Sequence, residues 1–327
     1  MSLLITGGNG HVGSTIVKMA AATGRDVVAL VRDPSRVPAN LIAESGSSVK
    51  WVACDLTDPF QIAAIAAEHD IDRCIHSGAV PNQKLAVAAP WQTVQTNIGA
   101  TAALLEVARR QGWKRFVNVS TGSVFQTETD FAKPLLEDAD VSPLSVYSAT
   151  KHSGELMTRM YRHDYGLSAA SIRISFIYGP PLVPLSRDLP RGPIVSLLRE
   201  AILGLPINEP SGGDFEASFT YVDDVASGLL AAVDAASLNH HVYHLGNGQN
   251  WNTFAVVDAI RDAVPGAQIT VGPGTEPWTT YNPMRGPLSG TRLAEDTGFV
   301  SQYPLEKGVR AFAEWMRANP EKIGRKR

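Results

Sequence analysis

The opening of the chain constrains it more than any other stretch. Leu3-Leu4-Ile5 is an apolar run of strand character, Thr6-Gly7-Gly8-Asn9-Gly10-His11-Val12-Gly13 comes at once after it, and a helix-compatible run from Ser14 to Ala22 comes next. A strand that turns through closely spaced glycines into a helix gathers backbone N–H groups and the positive end of the helix dipole at one point. That is where a dinucleotide pyrophosphate is held. Gly7 allows the turn, Gly10 lets the backbone approach the phosphates, and Gly13 lets helix and strand pack closely. An ordinary βα turn carries similar glycines, so the motif takes its meaning from the strand ends and side chains further along the chain.

With 327 residues, 44% of them apolar and 19% charged, the chain can bury the full core that such a parallel α/β sheet requires. A net charge of -3 supplies no attraction for nucleic acid or an anionic membrane, so neither is expected as a partner. No apolar run is long enough to span a bilayer and no basic leader precedes an apolar segment, which predicts a cytoplasmic protein. Cys54 and Cys74 cannot build a disulfide framework and read as buried thiols. The histidines lack metal-ligand spacing, and no metal site is expected.

A second strand over residues 26–31 runs into Arg32-Asp33. The side chain at this tip faces the adenosine ribose in a dinucleotide fold: a guanidinium there pairs with a 2'-phosphate, a carboxylate with ribose hydroxyls. Arg32 therefore favours NADP, while a shift of one residue would present Asp33 and select NAD. Strands over 49–53 and 74–76 end in Asp55-Leu56 and in Ser77-Gly78-Ala79. Asp55 suits an adenine amino group, with Leu56 against the ring, although a helix cap for the next segment would look the same. The small residues at 77–79 leave room for the pyrophosphate and ribose. Residues 86–110 read mostly as one long helix, interrupted at Pro90.

The strand over 116–119 ends in Ser120-Thr121-Gly122-Ser123, at the sheet edge where open α/β folds bind ligands. Tyr147 and Lys151 stand four apart and share one face of a helix. A neighbouring ammonium favours the phenolate form of a tyrosine, which can then take a proton from an alcohol or return one to a carbonyl. Thr121, with Ser120 or Ser123 nearby, would hydrogen-bond the reacting oxygen.

In this order, the motifs resemble those of the extended short-chain dehydrogenase/reductase family, the NAD-dependent epimerase/dehydratase-like enzymes. Thr6-Gly7-x-x-Gly10-x-x-Gly13 looks like its cofactor loop, Asp55-Leu56 like its adenine contact, and Ser77-Gly78-Ala79 like its cofactor-flanking strand end. Asn97 falls where the family keeps a structural asparagine, Thr121 at its catalytic Ser/Thr, and Tyr147-x-x-x-Lys151 at its catalytic pair. The resemblance extends through Arg173-Ile174-Ser175-Phe176-Ile177-Tyr178-Gly179-Pro180 and implies that Asn9, His11, Val12, Asn97, Lys151 and Tyr178 also serve the cofactor. The implied fold is α/β, a Rossmann-like doubly wound parallel sheet with a smaller C-terminal substrate lobe. Residues 1–177, completed by about 217–264, would form the core, and about 178–216 with 265–327 the lobe.

Two departures bear on substrate. Many sugar-nucleotide enzymes of this family carry Asn where this chain has Phe176, and Arg where it has Ala217-Ser218, to hold a nucleotide diphosphate. Their loss favours an NADP-dependent oxidoreductase of a small secondary alcohol or ketone, including a sugar acid or hydroxy acid. An NAD-dependent nucleotide-sugar epimerase or dehydratase is the second reading, and a non-catalytic dinucleotide-sensing regulator the third. Arg187, Arg191, Arg285 and Arg292, with His240 or His241, are candidate carboxylate partners, and Trp278 and Tyr281 candidate aromatic walls. Helices near 91–110 and 147–161 carry surplus apolar residues, and family members pair through them, which suggests a homodimer.

Overall fold

The computed structural model describes residues 1–127, 130–181, 192–280 and 283–324. Strands β1 (Ser2–Thr6), β2 (Val27–Val31), β3 (Val49–Ala53), β4 (Ile71–His76), β5 (Arg115–Thr121), β6 (Ala169–Ile174) and β7 (Val242–Leu245) form one sheet in the order β7-β6-β5-β4-β1-β2-β3. Every neighbouring pair is parallel. A parallel sheet needs helices on both faces, and its interior strands β2 and β5 are accordingly buried along their whole length. The strand order reverses beside β1, so the loops after β1 and β4 diverge and leave a crevice at their carboxyl ends.

The helices are α1 (His11–Ala22), α2 (Ala39–Ser45), α3 (Pro59–Glu68), α4 (Gln83–Ala88), α5 (Pro90–Val94), α6 (Ala100–Gln111), α7 (Val146–Tyr165), α8 (Pro193–Ile202), α9 (Val222–Asp234), α10 (Thr253–Ala263), α11 (Thr291–Thr297) and α12 (Leu305–Ala318). Alternation along β1 sends Leu3 and Ile5 to one face, where Ile16 and Val17 of α1 and Val225 and Leu229 of α9 cover them. Leu4 points the other way, toward Ile62 of α3 and Leu104 and Leu105 of α6. A separate cluster forms the lobe: Ile194, Leu197 and Leu198 of α8 pack with Val256 and Ile260 of α10 and with Val309, Phe312 and Met316 of α12. Although the sequence pattern groups residues 253–263 with the core, their buried side chains face this lobe. Among the described residues no helix is long and apolar enough to cross a membrane.

Two elements differ from the sequence expectation for local reasons. The long helix over 86–110 is divided: Pro90 starts α5, and a π-helical turn, Gln95–Gly99, separates α5 from α6. Asn97 lies on that turn, where its Oδ1 accepts from Val80 N at 2.8 Å and its Nδ2 donates to Thr150 Oγ1 at 3.0 Å. The sequence reads as one strand over 172–177, but β6 stops at Ile174 and the chain resumes extended pairing as Ile177–Tyr178, against Thr220–Tyr221 outside the main sheet. Phe176 lies at this break and packs edge-on against Phe215 and Phe219 of the lobe.

Candidate active site

A cleft of about 1270 Å³ runs along the carboxyl edge of the sheet, from the end of β2 past the glycine loop to the start of α7. At its centre the turn is built as the glycines require. Gly7 has φ of +67°, and Gly10 N donates to Gly7 O at 2.9 Å. A Cβ on Gly13 would collide with Gly7 O, and one on Gly78 would lie 2.5 Å from Leu56 Cδ1. Only glycine leaves this surface open.

No side chain caps the start of α1, and no acidic residue lies in its first turn, so its N–H groups and positive dipole end face the cleft. That is a fit for an anionic pyrophosphate. Ser77 Oγ donates to Thr6 O at 2.6 Å and Gly78 N to Thr6 Oγ1 at 2.8 Å, which fixes the loop after β4 against the loop after β1. Asn9, His11, Val12 and Ala79 complete the lining here. His11 Nε2 also bonds Gly179 O at 2.9 Å, tying the cofactor loop to the lobe.

At the end of the cleft beside β2, Arg32 is exposed, while Asp33 is half-buried at the strand tip. Asp33 Oδ1 accepts from Ser35 Oγ at 2.6 Å and Ser35 N at 3.0 Å, and these bonds hold its carboxyl below the usual range, as a charge. Arg36 pairs with it at 3.3 Å. Asp55 accepts from Thr57 N at 2.9 Å and does not cap α3, a task that Asp58 performs. Asp55 and Leu56 are therefore free to line the cleft, as they do.

At the other end α7 starts with a reciprocal cap: Ser145 Oγ accepts from Ser148 N and Ser148 Oγ from Ser145 N, both at 3.1 Å. That cap sets Tyr147 and Lys151 on the cleft face beside Thr121, which ends β5. Burial pushes the Tyr147 phenol up, and the Thr121 hydrogen bond and the Arg285 charge pull it back down. Arg285, to which the spacing of the sequence did not point, is thus a cation whose charge acts on Tyr147, and Lys151 stands one helical turn from the phenol in the same cleft. Lys151 is buried, which pushes its ammonium down to about 8 against the opposing pull of Glu155.

Glu155 ties this end together. Its carboxylate accepts from Arg173 Nε at 2.9 Å, Arg173 Nη2 at 2.8 Å and Ser120 Oγ at 2.5 Å, linking α7 to β6 and to the residue before Thr121.

The other expected residues fall elsewhere. Asn97 sits behind the 77–80 loop as a brace rather than in the cleft. Tyr178, expected to serve the cofactor, is buried in the lobe against Tyr221 and Phe312, with its hydroxyl donating to Leu305 O. Arg292 pairs with Glu137 and Asp138, His240 packs on Tyr243, and Trp278 is buried in the lobe. Arg187, Arg191 and Tyr281 lie outside the described residues. Arg285 alone of the candidate anion partners among the described residues lines the cleft, together with Phe176, Gln126 and Ser123.

Comparison with known proteins supplies the context. A family model described as the NAD dependent epimerase/dehydratase family matches residues 3–246. The UDP-glucose 4-epimerase of Mycolicibacterium smegmatis is 31% identical, over 97% of this chain and 99% of its own length. The Thermotoga maritima UDP-glucose 4-epimerase, solved with UDP-glucose, superposes with a TM-score of 0.85 at 22% identity, covering 98% of this chain and 100% of that one. The Thermus thermophilus UDP-glucose 4-epimerase, solved with NAD, gives 0.81 at 24% identity, covering 97% and 99%. These findings correct the expectation of NADP drawn from Arg32. The family is described as NAD dependent, and NAD is the dinucleotide in the solved relative. At this rim Asp33, held as a charge, is the carboxylate that suits ribose hydroxyls.

Proposed function

The chain belongs to the NAD dependent epimerase/dehydratase family, and from that premise we propose that it is an NAD-dependent 4-epimerase of a nucleoside-diphosphate sugar. It is an oxidoreductase of the extended short-chain type, so the non-catalytic reading lapses. The nucleotide-sugar reading, second in the sequence analysis, now stands ahead of the small alcohol or ketone. Likeness to sugar-nucleotide enzymes over nearly the whole chain supports it. Of the residues that had argued against a diphosphate, Ala217 and Ser218 are buried, and Phe176 packs on Phe215 and Phe219 while still lining the cleft.

One observation favours epimerase over dehydratase. Among the described residues lining the cleft, Asp33 and Asp55 are the carboxylates, and both stand at the adenosine end. Eliminating water from a sugar needs a base for a ring proton and an acid for the departing hydroxyl, beyond the tyrosine that serves the alcohol. Ser123, Gln126 and Arg285 supply neither near neutral pH. Interconverting an alcohol and a ketone needs only Tyr147.

Tyr147 would take the hydroxyl proton from the sugar and later return it. Thr121 would hold both the phenol and the reacting oxygen, and Lys151 would keep a positive charge beneath them. Gly7, Gly10, Gly13 and the start of α1 would hold the pyrophosphate, with Asp33 on the adenosine ribose. NAD, when bound, supplies an acceptor that takes a hydride from the sugar carbon and gives it back. Incubation of the purified protein with UDP-hexoses, UDP-hexuronates and dTDP-hexoses, followed by chromatography, is expected to yield the 4-epimer of at least one. Loss of water from the sugar, or no conversion of any of them, would contradict the reading.

A further inference from the structure

We propose that Arg285 binds a carboxylate on the carbon next to the reacting one, so that the preferred sugar is a hexuronate carried on a nucleoside diphosphate. This rests on the nucleotide-sugar reading above and adds to it the class of sugar.

Arg285 is 5% exposed yet lines the cleft. Its Nη2 donates to Pro283 O at 3.1 Å, its Nε has no partner, and no carboxylate among the described residues pairs with it. The guanidinium lies over the Phe176 ring, 5.7 Å from the centroid, and its Nη1 would be 3.4 Å from a Cβ placed on Gly122. It is therefore held between the lobe and the residue directly after Thr121. Burial pushes it down to about 10, which leaves it charged at neutral pH. The contrast with Arg173 is informative: that side chain is equally buried and has the Glu155 carboxylate on two of its nitrogens. A buried guanidinium without a counter-charge is costly unless a ligand supplies one, and its planar fork matches a carboxylate.

Position decides which anion. Arg285 is close enough to Tyr147 for its charge to act on the phenol, and the phenol meets the reacting hydroxyl. In a pyranose oxidised at C4, the C5 substituent is on the adjacent carbon, whereas the diphosphate leaves from C1 across the ring. A cation beside Tyr147 is placed for a carboxylate at C6. Gly122, with no side chain, keeps that space open. Phe176, where an amide would offer a neutral hydrogen bond, gives the guanidinium a flat support.

The test measures kcat/KM and calorimetric affinity for UDP-glucuronate and UDP-glucose, in the wild type and in Arg285→Met and Arg285→Lys. We expect the wild type to favour the uronate, and Arg285→Met to lower the uronate-to-hexose ratio on the order of 100-fold, as for a truncated buried charge pair. Arg285→Lys should keep part of the ratio. A wild type that does not favour UDP-glucuronate overturns the proposal, and this needs no variant to fold. So does an Arg285→Met protein in which both ligands weaken equally, since Arg285 would then serve the diphosphate. If neither nucleotide sugar nor UDP binds the wild type, the nucleotide-sugar reading fails and takes this inference with it. Equal binding of both sugars removes the inference alone.

Discussion

Tyr147→Phe is expected to lower kcat by a factor of about 10² to 10⁴, the usual contribution of a positioned general acid or base, while leaving dinucleotide retention nearly unchanged. The substitution removes one oxygen. The ring stays in place on the first turn of α7, and the hydroxyl of Thr121 keeps its bond from Ser123 N at 3.1 Å. The glycine loop and the start of α1, which would hold the pyrophosphate, are untouched. Steady-state turnover, read with the dinucleotide content of the purified variant, separates the two effects. A kcat within about tenfold of the wild type would remove Tyr147 from the chemistry. Loss of the dinucleotide would mean that the phenol serves binding instead.

Glu155→Ala is expected to destabilise the fold by about 3–5 kcal/mol, the cost of leaving one member of a buried ion pair alone. Arg173 is 4% exposed, and among the described residues only Glu155 gives its guanidinium a bidentate carboxylate. The same change frees Ser120 beside Thr121 and removes the negative charge that supports the Lys151 ammonium. The pH dependence has a definite sign. Burial alone would raise the Glu155 carboxyl, but the bonds from Arg173, His152 and Ser120 outweigh it and hold the group at about 2, below its ordinary 4.5. A depressed carboxyl stabilises the fold fully above the unfolded value and loses that contribution as pH falls through the folded one. Urea unfolding of the wild type should therefore weaken between pH 4.5 and 2 more steeply than that of Glu155→Ala. Parallel curves, or a variant within about 1 kcal/mol of the wild type at neutral pH, would show that the pair holds little.

The parts of the site legible in the sequence are those whose chemistry is local. Gly7, Gly10 and Gly13 encode one turn, and Tyr147 and Lys151 lie one helical turn apart, so spacing alone brings each group together. Thr121 is legible from where a strand stops. What spacing does not carry is the direction of a side chain at a break. Arg32 and Asp33 are adjacent, and spacing does not show that Asp33 caps the turn Pro34–Arg36 with its own carboxylate. Tyr178 continues a strand-like run, but that run leaves the sheet at Ser175-Phe176 and buries the phenol in the lobe. The pattern of α10 shows that one face is apolar without showing that α8 and α12 are what it meets.

Arg285 is the instructive case. It reads as one of several candidate cations in a Gly/Pro-rich stretch, and nothing near it in sequence points to Tyr147. Its role depends on the lobe folding back over the end of β5, a long-range contact that the local pattern does not encode. Arg292, a short way further along the chain, finds Glu137 and Asp138 and leaves the cleft.

The proposed function rests on oxidation of a sugar carbon and its restoration within one active site. Deuterium placed at C4 of UDP-glucuronate and UDP-glucose, followed during incubation with the purified, NAD-loaded protein, tests this without a variant. A 4-epimer that keeps its deuterium at C4 is expected, with no accumulation of reduced dinucleotide. Stoichiometric transfer of the label to the free dinucleotide, with a ketone as the product, would identify a one-way dehydrogenase and contradict the proposed function.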